Sequence, residues 1–343
     1  MSKEVVLTGL RTNGEYHLGN YIGALMPMVR FATEKADEYQ VHLFAPDLHS
    51  FITPVEFGQA FRDQIVANLK LFVASGIPLD SDSVFIYRQS YVPAHSELTW
   101  ILNNFTGHGE MARMTEYKDK AAKLDGDRIN LALFDYPVLQ AADVLLYDAK
   151  WVPVGEDQRQ HLEFTREIAQ RLNNQFDDLF VVPETLEKQQ AFVGRTEAPR
   201  IRSLRNPEKK MSKSVSDPAG TILLTDAPDD ARKKIMSAET DSVGSVNFDW
   251  ENQPGVTNLL TILSALSGRS QDETNAEWTG NDRYGDLKKA VADVVATFLE
   301  DLQAKMNDVT NEDLEQHLAR SEEKMNEIAN AKLYKVQEAI GLR

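Results

Sequence analysis

Two stretches of this sequence carry residue types whose spacing suits phosphate chemistry. The first runs Thr8-Gly9-Leu10-Arg11-Thr12-Asn13-Gly14-Glu15-Tyr16-His17-Leu18-Gly19-Asn20 and places three glycines within 11 residues. Glycine lets a backbone approach a ligand closely. A helix beginning near Gly19 turns free N–H groups and a positive dipole end towards the same place, which favours phosphate. His17 and Asn20 add side-chain donors there. The spacing matches neither the G-x-G-x-x-G dinucleotide pattern nor a Walker loop. A tight turn whose glycines only satisfy backbone angles is the competing reading. The second stretch crowds Arg200, Arg202, Arg205, Lys209, Lys210 and Lys213 into 14 positions, opposed only by Glu208. At its centre Lys210-Met211-Ser212-Lys213-Ser214 sets two lysines at i and i+3. Mobile ammonium groups can follow the charge that develops on a departing pyrophosphate, although a solvated linker has the same composition.

Two further stretches could line a pocket. In Asp135-Tyr136-Pro137-Val138-Leu139-Gln140-Ala141-Ala142-Asp143-Val144-Leu145-Leu146-Tyr147, a helix with Pro137 in its first turn puts Tyr136, Gln140, Asp143 and Tyr147 on one face. That stripe faces either a pocket or solvent. In Val152-Pro153-Val154-Gly155-Glu156-Asp157-Gln158, Gly155 ends a strand and acidic and amide groups open a helix. A carboxylate there can hold ribose hydroxyls or simply cap the helix.

These residues need a scaffold. Glu4–Thr8, Gln40–Ala45, Ser83–Tyr87 and Trp151–Val154 read as short strands. The spans from Gly19 to Ala36, Val55 to Ala74 and Gln158 to Leu172 carry helical period, and Gly76 stops the second. Strands alternating with helices predict a parallel sheet, with ligands outside the carboxyl ends of its strands. Ser96 to Leu146 reads as mostly helical and Arg200 to Ala219 as a loop. After Thr225 the pattern is all helix, including an amphipathic run at Leu287, Val291, Val294, Val295, Phe298, Leu299, Leu302 and Met306. A last helix spans about Asn311 to Ile340.

The 343 residues allow about two domains. Zero cysteine excludes disulfides, thiolate zinc sites, iron–sulfur clusters and a cysteine nucleophile. The start, MSKEVVLTGL, lacks a long apolar stretch, and no run of 18 apolar residues occurs. The expectation is therefore a cytoplasmic protein without membrane spans. The net charge of −16 argues against an even positive coat, but it leaves room for local basic patches.

The pair of motifs now carries more weight. His17-Leu18-Gly19-Asn20 resembles the HIGH signature of class I aminoacyl-tRNA synthetases, and Lys210–Ser214 matches their KMSKS loop letter for letter, about 190 residues further on. The runs Tyr136–Asp143 and Pro153–Ala169, and Gly255–Leu260 (GVTNLL), are similar to the tryptophanyl branch, not the tyrosyl one. The resemblance covers nearly the whole chain. It departs in three places. Arg11 stands where most members have glutamine, Thr12-Asn13 where they have Pro-Ser or Pro-Thr, and Gln140 where methionine is common.

That resemblance implies a Rossmann-type α/β catalytic domain over 1–220, with a helical connecting and dimer segment at about 93–135, and a small all-helical, anticodon-binding domain over 221–343. It implies a homodimer that uses L-tryptophan, ATP with Mg²⁺, and tRNA(Trp), with no protein-bound metal and no membrane partner. By the same resemblance Asp143 accepts the indole N–H. Tyr136, Gln140 and His49 line that pocket, Val152 and Val154 pack on the ring, and Gln158 serves the substrate's polar end. Arg11, Thr12, Asn13, His17, Gly19 and Asn20 would bind ATP, with Gly155, Glu156 and Asp157 near the ribose. Lys210, Met211, Ser212 and Lys213 belong to the ATP loop. Lys210, Ser212, Lys213 and Lys120 act on the phosphates in catalysis. Arg320, Lys324, Lys332 and Lys335 are candidates for a tRNA patch.

Overall fold

The computed structural model describes residues 3–10, 12, 14–50, 52, 57–122, 129–193, 200–212 and 218–343. Strands β1 (Glu4–Gly9), β2 (Tyr39–Ala45) and β3 (Val84–Arg88) form a parallel sheet in the order β1-β2-β3. Val6 pairs with Val41, and Val41 with Val84. Val41 to Ala45 are all buried, as expected for a central parallel strand covered on both faces. The strand expected at Trp151–Val154 is reduced to a single parallel bridge between Val6 and Trp151. The cause is local. The N–H of Val152 is taken by Gln189 Oε1 at 2.8 Å, and Pro153 has no N–H to continue a ladder.

The first crossover is one continuous helical run: α1 (Leu18–Asn20), a π-helical segment (Tyr21–Leu25) and α2 (Met26–Lys35). Then come α3 (Asp47–Ser50) and α4 (Gln59–Ala74), after which Gly76 turns the chain at φ +104°. Beyond β3 lie α5 (Ala94–Asn103), α6 (His108–Arg113), α7 (Thr115–Ala121) and α8 (Leu131–Leu145). Helix α8 starts earlier than expected, because Asn130 caps it by accepting from Leu133 N at 2.8 Å. Pro137 therefore sits inside the helix and not in its first turn.

Helices α9 (Arg159–Phe176) and α10 (Leu186–Phe192) complete the α/β part. The rest is helical: α11 (Pro228–Met236), α12 (Pro254–Ser267), α13 (Gln271–Trp278), α14 (Tyr284–Asp308) and α15 (Asn311–Ala339). The amphipathic reading of α14 holds, with Leu287, Val291, Val295, Leu299 and Leu302 buried. No described helix is long and apolar enough to cross a membrane.

The packing runs straight through residue 220. One apolar core joins Leu18, Ile22, Leu43 and Phe72 to Val256, Leu259, Val291 and Leu299. The other joins Leu7, Tyr87, Leu98 and Val138 to Met325, Ala329, Leu333 and Val336 of α15. A buried ion pair, Arg88 Nε to Glu322 Oε1 at 2.6 Å, ties α15 to the end of β3.

Candidate functional site

The glycine-rich turn leaves the carboxyl end of β1 and is pinned by a residue from another element. Asn68 of α4 donates to Thr12 O at 2.7 Å and to Gly14 O at 3.0 Å, and Gly14 has φ +77°. Thr12 is fully buried, and its hydroxyl lies 3.0 Å from Ser50 Oγ. Its side chain is thus committed inward. Arg11 and Asn13 lie outside the described residues. At the helix start, His17 Nδ1 accepts from Asn20 N at 3.2 Å, while Asn20 Oδ1 accepts from His17 N at 3.3 Å. This reciprocal cap uses one of the N–H groups expected to be free for phosphate.

The two motifs meet in space. Leu18 N donates to Ile222 O at 2.9 Å, and Leu224 N donates to Tyr16 O at 2.9 Å. A Cβ on Gly19 would sit 3.1 Å from His17 Nδ1 and 3.4 Å from Met211 Cβ, so a larger residue there would wedge them apart. Met211 is buried in the core. Ser212 O accepts from Thr221 Oγ1 at 3.1 Å. Lys210 is exposed, and its backbone bridges to Arg202. Lys213 and Ser214 lie outside the described residues, as does the side chain of Lys120; the backbone of Lys120 is in α7.

Beyond the strand ends opens a cleft of about 1840 Å³. All seven residues expected around the amino acid line it: His49, Tyr136, Gln140, Asp143, Val152, Val154 and Gln158. Tyr136, Gln140 and Asp143 of the polar stripe therefore face a pocket and not solvent, while Tyr147 lies beyond α8, buried and outside the lining. At its head is Asp143, whose Oδ1 accepts from Gln89 Nε2 at 2.6 Å and lies 2.6 Å from His95 Nδ1. Its Oδ2 lies 2.8 Å from His49 Nε2. Burial acts to raise this carboxyl's pKa, but hydrogen bonds from His49 and His95 override it and hold it at about 2. Asp143 is thus a carboxylate acceptor at neutral pH. Each carboxylate oxygen accepts about two hydrogen bonds. Among the described residues Oδ1 has two partners and Oδ2 one.

The start of α3, which carries His49, is tied to the segment after β3. Asp47, at the start of α3, accepts from Ser90 N at 2.8 Å and from Ser90 Oγ at 2.5 Å. Across the cleft Tyr136 OH lies 2.9 Å from His161 Nε2. Gln140 Nε2 donates to Gln158 Oε1 at 3.3 Å. Gly155 and Asp157 also line the cleft, and a Cβ on Gly155 would meet Asp157 Oδ1 at 2.6 Å. Glu156 does not line it; that carboxylate is paired with Arg159 on the exposed surface. Gly19, Asn20, His17, Lys210 and Ser212 also lie outside its lining. Among the described residues, no group of three or more His, Cys, Asp or Glu is arranged to hold a metal ion.

Gln89, His95, Asn68 and Asp47 are not marked by any motif in the sequence, and His161 lies within the run Pro153–Ala169 without being singled out there. Asn68 alone leaves a signal: it interrupts the buried face Ile65, Leu69, Phe72 of α4. The others act across sequence separations that no local pattern reports.

Known proteins share this architecture. The sequence pattern of the family described as tRNA synthetases class I (W and Y) matches residues 2–300. A tryptophan--tRNA ligase of Corynebacterium glutamicum is 43% identical over 339 residues, covering 98% of this chain and 94% of that protein. The crystal structure of tryptophanyl-tRNA synthetase from Mycoplasma pneumoniae superposes with a TM-score of 0.82 at 32% identity, over 100% of this chain and 99% of that one. That of the Campylobacter jejuni enzyme, complexed with ADP and tryptophan, gives 0.79 at 31% identity, over 98% and 99%.

Proposed function

The chain belongs to the class I tRNA synthetases of the tryptophan and tyrosine type, and from that premise we propose how its residues divide the work. Its activity is the ATP-dependent ligation of L-tryptophan to tRNA(Trp). Tryptophan's carboxylate attacks the α-phosphorus of ATP in line, forming the adenylate and releasing pyrophosphate. The terminal ribose hydroxyl of the tRNA then takes the acyl group and AMP leaves. The enzyme's part is positioning and charge stabilisation, without a covalent intermediate on the chain.

The amino acid enters the cleft with its indole N–H towards Asp143 Oδ2, its ring between Val152 and Val154 and the Tyr136 face, and its polar end near Gln158. Gly155 and Asp157 take the ribose. The turn at Gly19 and Asn20, with His17, serves the triphosphate. Lys210 and Lys213, with Ser212 and Lys120, stabilise the departing pyrophosphate. Mg²⁺ arrives with the nucleotide as part of the substrate. The helices after residue 220 meet the anticodon, and the protein works in the cytoplasm as a homodimer joined through the helices around 93–135. Trp100 and Leu131 in that segment support this, being 74% and 85% exposed.

The observation that carries the amino-acid choice is a buried carboxylate with one acceptor direction left, at the head of an apolar cleft. ATP–pyrophosphate exchange run with each of the twenty amino acids is the test. Tryptophan should drive it; exchange driven by tyrosine alone would sink the assignment.

Of the expected tRNA-facing basic residues, Arg320 pairs with Asp82 and Lys324 with Glu327. Lys332 is turned inward, donating to Leu179 O and pairing with Asp148 at 2.6 Å. The patch therefore reduces to Lys335 and the two weakly paired surface residues, since exposed pairs hold little energy.

A further inference from the structure

Two of the three residues that hold Asp143 lie outside the lining of the cleft. His49, the partner of Oδ2, lines the cleft, whereas Gln89 and His95, the partners of Oδ1, do not. Oδ2 is therefore the oxygen on the cleft side. His95 is fully buried, with the rings of Phe44 and Tyr87 packed against it. Its second nitrogen, Nε2, lies 3.0 Å from the hydroxyl of Tyr147, which is also buried. Burial, and the negative charge of Asp143, keep that phenol protonated well beyond its ordinary range. A phenol donating to Nε2 leaves Nδ1 as the ring's N–H. The chain Tyr147 O–H to His95 Nε2, then His95 Nδ1–H to Asp143 Oδ1, runs with one polarity, each bond reinforcing the next.

We propose that His95 is a positioning residue for substrate selection: held in one tautomer by Tyr147, it saturates Oδ1 together with Gln89 and leaves Oδ2 a single acceptor direction into the cleft. A carboxylate free to turn would meet a donor from many angles and discriminate poorly. A fixed one accepts along one line, which suits an aromatic side chain carrying a ring N–H. A ring without that donor leaves the lone pair buried and unpaired, which is costly. The inference rests on the tryptophan-activating reading above.

The test compares kcat/KM in ATP–pyrophosphate exchange for L-tryptophan and for 3-benzothienylalanine, an isostere with sulfur in place of the indole N–H. His95→Phe keeps the aromatic volume and removes both nitrogens. His95→Asn retains an amide N–H where Nδ1 stands. Tyr147→Phe removes only the hydroxyl. In His95→Phe the tryptophan-to-isostere ratio should fall by about 10-fold or more, carried by KM for tryptophan, with kcat within about 3-fold. His95→Asn should restore most of the ratio, and Tyr147→Phe should lower it by about 3-fold. A merely structural histidine would slow both substrates equally; an unchanged ratio in His95→Phe and Tyr147→Phe overturns the proposal. If His95→Phe fails to fold, an unchanged ratio in Tyr147→Phe alone overturns it. A wild-type chain with no tryptophan-dependent exchange would instead reject the reading beneath it.

Discussion

Asp143 shows how much a buried side chain must withstand to stay ionised. Removing a carboxylate from water is expensive, and three donors offset that cost before any ligand arrives. The sign of its effect on stability comes from its depressed pKa. The carboxyl titrates at about 2 in the folded chain against an ordinary value of 3.8. Its contribution, on the order of 2 kcal/mol, is fully present above about pH 4 and is lost as pH falls through about 2. The difference in Tm between wild type and Asp143→Asn should thus be constant from about pH 7 to 5 and shrink below about pH 4. A gap as wide at about pH 3 as at neutrality would contradict this account. The same Asp143→Asn variant should lose tryptophan-dependent exchange by about 100-fold or more, because an amide offers an N–H where an acceptor is needed. Asp143 is readable from its place on a helix face, but its holders are not. Gln89 and His95 are unremarkable letters after a strand, and only folding brings them to within 2.6 Å of it.

At the scale of elements, the site is assembled from the segments just past the carboxyl ends of three strands. Gly9 ends β1, α3 with His49 comes after β2, and Gln89 comes after β3. Strand and helix positions are legible because burial leaves runs and periods in the sequence. The missing fourth strand and the early start of α8 are not, because Gln189 and Asn130 decide them through side-chain hydrogen bonds. The sharpest element-level prediction concerns α15. Arg88 is held by Glu322 and Glu315, and its guanidinium stacks on Tyr91 at 3.6 Å. Arg88→Met leaves Glu322 buried without its partner and should destabilise the chain by about 3–5 kcal/mol. The double variant Arg88→Met with Glu322→Met should recover most of that loss in chemical denaturation. If the double variant is no more stable than the single, the pair is not what anchors the helix.

Over the whole molecule, charge and surface set the partners. Acid is spread along the chain, while the stretch from Arg200 to Lys213 concentrates base in the sequence, and Met211 within it packs beside Gly19 at the helix start. Binding to tRNA should weaken steeply with salt, as expected when phosphates displace counterions; filter binding at two ionic strengths measures it, and a flat response would exclude phosphate contacts as its source. Trp100 is the most exposed aromatic of α5. If the proposed homodimer forms through this face, wild type should sediment as a dimer at micromolar concentration and Trp100→Glu as a monomer; a wild-type monomer would overturn the dimer, and an unchanged dimer would place the interface elsewhere.

Residue order alone carries two motifs whose residue types suit phosphate, a carboxylate on a polar helix stripe, a parallel sheet, and no cysteine for metal or disulfide. Those features are local, and local spacing records them. Tertiary structure decided which groups are available for that chemistry. It committed Thr12 and Met211 inward, turned Glu156 to Arg159, and spent an N–H of the helix start on His17. It also threaded one core through residue 220. Hydrogen-bond partners and packing neighbours far apart in the chain leave no period or motif, so only the folded chain reveals them.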